Sequence, residues 1–154
     1  NRALLLVKKT GLQEEIRIGN YIPKLPNAMN RVLFKSGNEH WQTPDALKCA
    51  LDSEFGFTLD PCPNGATDGL TRSWRGQRVY CNPPYGRSVG DWIKKGFEAD
   101  VAVFLLPART DTKWWHELAM KAQEIRFLRG RLKFKGAAWG APFPSVLLIF
   151  RNGS

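Results

Sequence analysis

From residue 41 onward, apolar and polar positions follow two spacings. Leu47, Ala50 and Leu51 recur at helical spacing. Ahead of them Thr43-Pro44-Asp45 reads as a helix start: Thr at the N-cap, Pro at the first helical position, an acid in the first turn. Gly56 follows as the residue that stops the helix. Phe57–Asp60 reads as a short strand closed by Pro61, and Arg78–Cys81 as a second closed by Asn82-Pro83-Pro84. Ser88 and Asp91 are spaced as a capping box before Trp92, Ile93, Gly96 and Phe97. Val101–Leu106 is apolar throughout, as in a central parallel strand covered on both faces. Asp111 or Thr112 caps a helix bearing Trp114, Trp115, Leu118, Ala119 and Ala122, with the two tryptophans in the core. Glu124–Leu128, Leu132–Phe134 and Ser145–Phe150 read as three more strands.

Strand and helix alternate, so the predicted class is α/β, with a mostly parallel sheet and an antiparallel C-terminal strand. Ligands in such sheets bind beyond the carboxyl ends of the strands. Asp60 and Asn82 both stand at strand ends, which puts them on one rim if the strands are parallel. Residues 1–40 show no sustained period and carry Pro23 and Pro26, so Tyr21–Pro26 reads as extended. The predicted organisation is an N-terminal arm or cap over 1–40, a catalytic domain over 41–151 and a tail over 152–154.

Composition narrows the class. The 154 residues are 43% hydrophobic, with 6 Trp, 3 Tyr and 9 Phe, enough for a real core and too much for a disordered chain. The apolar runs fall far short of the ~20 residues that span a bilayer, and Ala3–Val7 is too short for a signal peptide. Cys49, Cys62 and Cys81 are odd in number and have no C-x-x-C spacing. A disulfide framework and a metal site are therefore not expected, and the chain reads as a cytoplasmic protein with reduced thiols. The 23 Lys+Arg against 14 Asp+Glu leave a net charge of +9, which points to a polyanion as partner, most often a nucleic acid.

The candidate chemistry lies in Asn82-Pro83-Pro84-Tyr85, directly after an apolar strand. Two prolines make a rigid turn and remove two N–H donors, so the segment could serve as a turn alone. It also suits methylation of an adenine N6 amine, whose lone pair is delocalised into the ring. A site for that reaction must accept hydrogen bonds from both amino hydrogens. The Asn82 side-chain oxygen can take one and a backbone carbonyl of the stiff turn, at Pro83 or Pro84, the other. Tyr85 can stack on the base, which in a duplex must first be flipped out. The rest of the rate comes from in-line alignment of nitrogen, methyl and sulfonium sulfur.

Further segments occur in order with that turn. They are Trp41-Gln-Thr-Pro44, Phe57-Thr-Leu-Asp60-Pro-Cys62, Asp68-Gly-Leu70, Trp74, Trp92-x-x-Lys95, Leu105-Leu-Pro-Ala-Arg-Thr-Asp-Thr112, Trp115-His116, Phe127-x-x-Gly-Arg131-x-x-Phe134 and Pro144-Ser145. Together they resemble the phage-type DNA N6-adenine methyltransferases, the small class related to the Dam enzymes, over roughly residues 40–150. The resemblance implies a reduced Rossmann-like fold, S-adenosylmethionine as methyl donor, DNA as substrate and a phage or prophage origin. It implies a donor site at Thr43, Pro44, Asp60, Pro61, Cys62 and Asp68. Asp60 suits the donor's ammonium or a ribose hydroxyl. Asp68 could accept from its adenine amine or ribose, or be a simple turn acid.

The chain departs from the pattern in one place. A Gly-rich turn normally follows the first strand of a methyltransferase, and here only Gly65 stands there. A strand–helix–strand unit needs about 30 residues, so residues 61–81 cannot hold the usual second and third strands. The donor site is then more open on that side, or closed by residues 1–40. The cations fall into two groups. Arg72, Arg75, Arg78 and Arg87 bracket the turn, with no acid among residues 70–87. Arg129, Arg131, Lys133 and Lys135 alternate with Gly130, Leu132 and Phe134, which on a strand gives one charged face. That face either tracks phosphates or guards a sheet edge. Arg109 follows the central strand and could hold DNA. Two other readings fit the same residues: an Asn-Pro-Pro-Tyr methyltransferase acting on RNA or a glutamine amide, or a non-catalytic nucleic-acid-binding module of methyltransferase-like fold.

Overall fold

The computed structural model describes residues 3–9, 12–18 and 41–153, the first two segments by their backbone alone. Tyr21–Pro26, expected as extended, lies outside the described residues. Ala3–Lys9 (β1) and Leu12–Ile18 (β2) pair antiparallel. Neither was expected as a strand, yet both extend the central sheet.

Helix α1 spans Asp45–Phe55, with Leu47, Leu51 and Phe55 buried. It starts as its Thr-Pro-Asp signal indicates, with one correction. The Thr43 hydroxyl does not cap it: Pro44 occupies the N-cap position, and Thr43 Oγ1 turns to Tyr80 and Asn82. Gly56 ends the helix at φ 59°, and its N–H donates to Asp52 O at 2.7 Å. The remaining elements are β3 (Arg78–Cys81), α2 (Val89–Gly96), β4 (Val101–Pro107), α3 (Lys113–Glu117), β5 (Glu124–Leu128) and β6 (Ser145–Arg151). Ser88 precedes α2 but makes no side-chain cap bond, so the expected capping box does not form. Thr112 does cap α3, accepting from Trp115 N at 3.3 Å. That helix is shorter than expected and gives way to a 3₁₀ turn at Ala119–Lys121.

The six strands lie in the order β2-β1-β5-β6-β4-β3. Among the described strands only β3 and β4 pair in parallel; β4–β6, β5–β6, β1–β5 and β1–β2 are antiparallel. The expectation of a mostly parallel sheet is thus corrected, while that of an antiparallel C-terminal strand holds. The cause is where β6 goes. β4 and β5 point the same way, but β6 inserts between them and turns one prospective parallel ladder into two antiparallel ones. Two expected strands are also absent as such. Phe57–Asp60 contributes a single parallel bridge, Leu59 to Val79. Leu132–Phe134 is extended loop: its alternation comes from burial of Leu132 and Phe134 beneath an exposed Lys133, not from a ladder.

β4 is buried along its whole length and serves two cores. Ala102, Phe104 and Leu106 face α2 and Trp115, with Trp74 and Trp92 filling that side. Val101, Val103 and Leu105 face α1, Leu132 and Phe134. Gly69, in the 3₁₀ turn Asp68–Thr71, is required by close approach: a Cβ there would lie 1.9 Å from Pro61 O. Its own carbonyl accepts from the buried Trp74 indole at 3.0 Å. An ionic network centred on the buried Arg126 and Glu124 joins α1 to the sheet. Arg126, 2% exposed, donates to Glu54 at 2.6 Å and to Glu124 at 2.6 Å, and Arg151 completes Glu124 at 3.0 Å. Among the described residues, no helix is long and apolar enough to cross a membrane.

Candidate active site

A cleft of about 190 Å³ opens at the carboxyl ends of β3 and the Leu59 bridge. Its walls come from five places: Trp41–Thr43 ahead of α1, Asp45 and Lys48 on the first turns of α1, Asp60 with the Cys62–Gly65 turn, Tyr80 on β3 with Asn82-Pro83-Pro84 after it, and Lys135 from the segment after β5. The reason they meet is topological. β3 runs parallel to the Leu59 segment, so Asp60 and Asn82 leave the sheet on the same rim, as their positions in the sequence indicated.

Asn82 is held by its neighbours in one orientation. Its Nδ2 donates to the Trp41 carbonyl and to Thr43 Oγ1 at 3.1 Å. A backbone carbonyl only accepts, so the amide nitrogen must face Trp41 and Oδ1 must face the other way. Tyr85 OH lies 2.6 Å from that Oδ1 and 3.1 Å from Leu105 O. Burial first, then the neighbouring Tyr80 and Cys81, pushes the Tyr85 hydroxyl well above the usual phenol range, so it remains a donor. Its single proton leaves Oδ1 one further lone pair for an incoming amine. Thr43 Oγ1 is itself 2.5 Å from Tyr80 OH, whose titration burial also drives upward.

The other half of the cleft is ionic. Lys48 Nζ donates to Asp60 Oδ2 at 2.5 Å, and Lys135 pairs with Asp45 at 3.1 Å. Asp45 and Lys48 stand one helical turn apart, on the same side of α1. Asp60 Oδ1 also accepts from Cys62 N at 3.2 Å, which bends the chain into the Pro63–Gly65 turn. There Asn64 (φ 52°) and Gly65 (φ 82°) are both left-handed, so asparagine supplies part of what a glycine pair would. Cys62 gives its S–H to Ala66 O at 2.8 Å, and burial followed by the Asp60 charge pushes its thiol up to about 11. It stays a protonated donor, not a nucleophile.

Of the residues singled out in the sequence, Asn82, Pro83, Pro84, Thr43, Asp60, Cys62 and Lys135 line this cleft. Pro44 and the buried Pro61 are not in the lining; they serve as the N-cap of α1 and the wall against Gly69. Asp68 is exposed and pairs with Arg72 at 3.2 Å, away from the cleft lining. Tyr85 stands beneath the lining: its ring meets Phe143 edge-on at 5.6 Å and Phe134 at 6.3 Å. Arg78 is exposed, with its Nε donating to the Phe55 carbonyl at 2.5 Å. Arg75, Arg87, Arg109, Arg129 and Lys133 are exposed, and Arg131 is half-buried. Sequence reasoning missed Lys48 and Tyr80. Lys48 stands four residues before Asp52, the spacing of an ordinary helix-surface pair, so nothing local marks it out. Tyr80 read as strand core.

A family model described as DNA N-6-adenine-methyltransferase (Dam) matches residues 31–152 of the chain. No curated protein and no solved structure matches it significantly.

Proposed function

The chain belongs to the DNA N-6-adenine-methyltransferase (Dam) family, and on that basis we propose that its cleft takes S-adenosylmethionine and an adenine flipped out of duplex DNA. The family's activity is methylation of adenine N6 in DNA. The observation that carries the finer reading is the Asn82 amide, locked with Oδ1 as acceptor by the Trp41 carbonyl. An acceptor fixed beforehand loses no reorganisation energy when the amine arrives. The Pro83 carbonyl, on a rigid turn lining the same cleft, takes the second amino hydrogen.

The donor set suits a zwitterion. Lys48 and Asp60 already form an ion pair, and an α-amino acid end can exchange partners with it: its carboxylate to Lys48, its ammonium to Asp60. The tight Cys62–Gly65 turn lets backbone approach the same group. When bound, S-adenosylmethionine supplies an electrophilic methyl on a sulfonium. The chain's own residues accept the amino hydrogens and hold the nitrogen for in-line attack. Pro44, Pro61 and Asp68 act on the donor through the segments they position, and Tyr85, its hydroxyl kept on Asn82 Oδ1, offers its ring to the base from beneath the lining.

The fold supports the same reading. β3, β4 and β5 share one direction, with the antiparallel β6 inserted between β4 and β5, and the Leu59 bridge stands for a shortened first strand. We read it as a Rossmann-like methyltransferase sheet reduced on the donor side, with residues 41–151 as the catalytic domain and residues 1–40 as an arm that adds β1 and β2 to the sheet. The exposed cations Arg72, Arg75, Arg87, Arg109, Arg129, Lys133 and Lys135, with Arg131, provide the phosphate-binding field. The enzyme then works where DNA and the donor coexist, inside a cell, and is phage- or prophage-encoded. The test is transfer of labelled methyl from S-adenosylmethionine to unmethylated duplex DNA, followed by digestion to nucleosides. Label in N6-methyladenosine supports the reading. Label in cytosine, or only in RNA or protein, overturns it.

A further inference from the structure

The segment between β5 and β6 carries one large side chain that the chemistry above does not use. Trp139 is 54% exposed, a costly place for an indole in water. The segment is not loose. Phe134 and Phe143 face each other at 6.0 Å and close its base, and both rings pack against Trp41 and Tyr85. Lys135 N donates to Gln42 O at 2.9 Å and Ala141 N to Leu132 O at 2.8 Å. Gly140 lies so close to Arg131 that a Cβ would fall 3.1 Å from the arginine Cβ. The loop is therefore anchored at its base among Trp41 and Tyr85, the neighbours of Asn82, and carries an exposed indole. Lys135 lines the cleft, whereas Trp139 stands outside it. No acid occurs between Glu124 and the chain end, while Arg129, Arg131, Lys133 and Lys135 precede the tip.

We propose that Trp139 is an intercalating wedge. It enters the duplex beside the target adenine and fills the gap left when that base moves to Asn82. The indole is not part of the cleft lining, so the base pairs left behind are the surface assigned to it. Their flanking phosphates match the cations on its stem. Unstacking a step costs a few kcal/mol, and an inserted apolar side chain restores part of the lost stacking.

This rests on the duplex-DNA reading given above, and the test separates the two. Methyl transfer by Trp139→Ala and Trp139→Phe is measured on a duplex containing a site that the wild type methylates. It is repeated on the same duplex with an abasic position opposite the target adenine, where flipping is already easy. The expected result is a kcat/KM about 10- to 100-fold lower for Trp139→Ala on the intact duplex, a smaller loss for Trp139→Phe, and wild-type rates for both on the abasic duplex. An equal loss on both substrates, or none on either, overturns the wedge while leaving the duplex reading intact. The isolated target strand is assayed beside them with the wild type, and methylation of that strand with none of any duplex overturns both.

Discussion

The side-chain nitrogen of Asn82 donates to the backbone carbonyl of Trp41, across 41 positions of sequence. That bond decides which end of the amide faces the cleft, because a carbonyl cannot donate. Thr43 Oγ1, at 3.1 Å, is the second acceptor for the same nitrogen. The Thr-Pro segment thereby serves Asn82 as well as starting α1.

Thr43→Val keeps the shape and removes the acceptor. A hydrogen bond of this kind contributes about 1 kcal/mol, so kcat should fall roughly 5- to 10-fold with little change in KM for DNA. Thr43→Ser should restore the rate. Steady-state kinetics on the three proteins checks this; an unchanged kcat in the valine variant contradicts the orienting role.

Lys48→Met and Asp60→Asn each remove one member of the cleft's ion pair. Charge-assisted bonds are worth about 1.5–3 kcal/mol, so affinity for S-adenosylhomocysteine should weaken at least 10-fold in calorimetric titration. Rates at saturating donor should stay near wild type. Unchanged affinity would make the pair a strut between α1 and the Asp60 turn.

Gly69→Ala puts a methyl group onto the Pro61 carbonyl. Forced overpacking costs about 1–3 kcal/mol, equivalent to a Tm lower by roughly 4–10 °C in a domain of this size. A thermal melt within a degree of wild type, on the order of measurement scatter, would contradict the close approach.

Glu124, 2% exposed, is pulled two ways: burial raises its carboxyl, while Arg126 and Arg151 lower it, and the guanidinium groups win. A folded-state value held below the ordinary 4.5 contributes stability that is complete above 4.5 and lost as pH falls through the folded value. Urea midpoints measured from about pH 6 down to about pH 3 should therefore drop more steeply for wild type than for Glu124→Gln. The glutamine variant should be less stable by about 3 kcal/mol near neutral pH, because it leaves Arg126 half-compensated. Parallel curves would contradict this.

Much of the fold could be read from local signals. Arg78–Cys81 and Glu124–Leu128 have the bounds the pattern indicates, and Gly56 stops α1 as a left-handed residue. What failed depended on distant partners. Nothing within Ser145–Arg151 says that it inserts between β4 and β5, so the ladder directions were misread. Leu132–Phe134 alternates as a strand does, because one side packs on the aromatic cluster, yet no neighbour offers it a ladder. Asn82, Asp60 and their shared rim were legible because strand ends carried them. Lys48 and Tyr80 were not, since a lysine on a helix and a tyrosine in an apolar strand have ordinary roles until the fold brings both to one cleft.

The most direct measurement compares wild type and Asn82→Ala for labelled methyl transfer into unmethylated duplex DNA, with S-adenosylhomocysteine binding measured on the same samples. Loss of one preorganised electrostatic partner costs about 100- to 1,000-fold in kcat. The expected result is N6-methyladenosine formed by the wild type, a loss of that size in the variant, and donor-product binding retained. Equal labelling by the two proteins would contradict the role of Asn82 and with it the site.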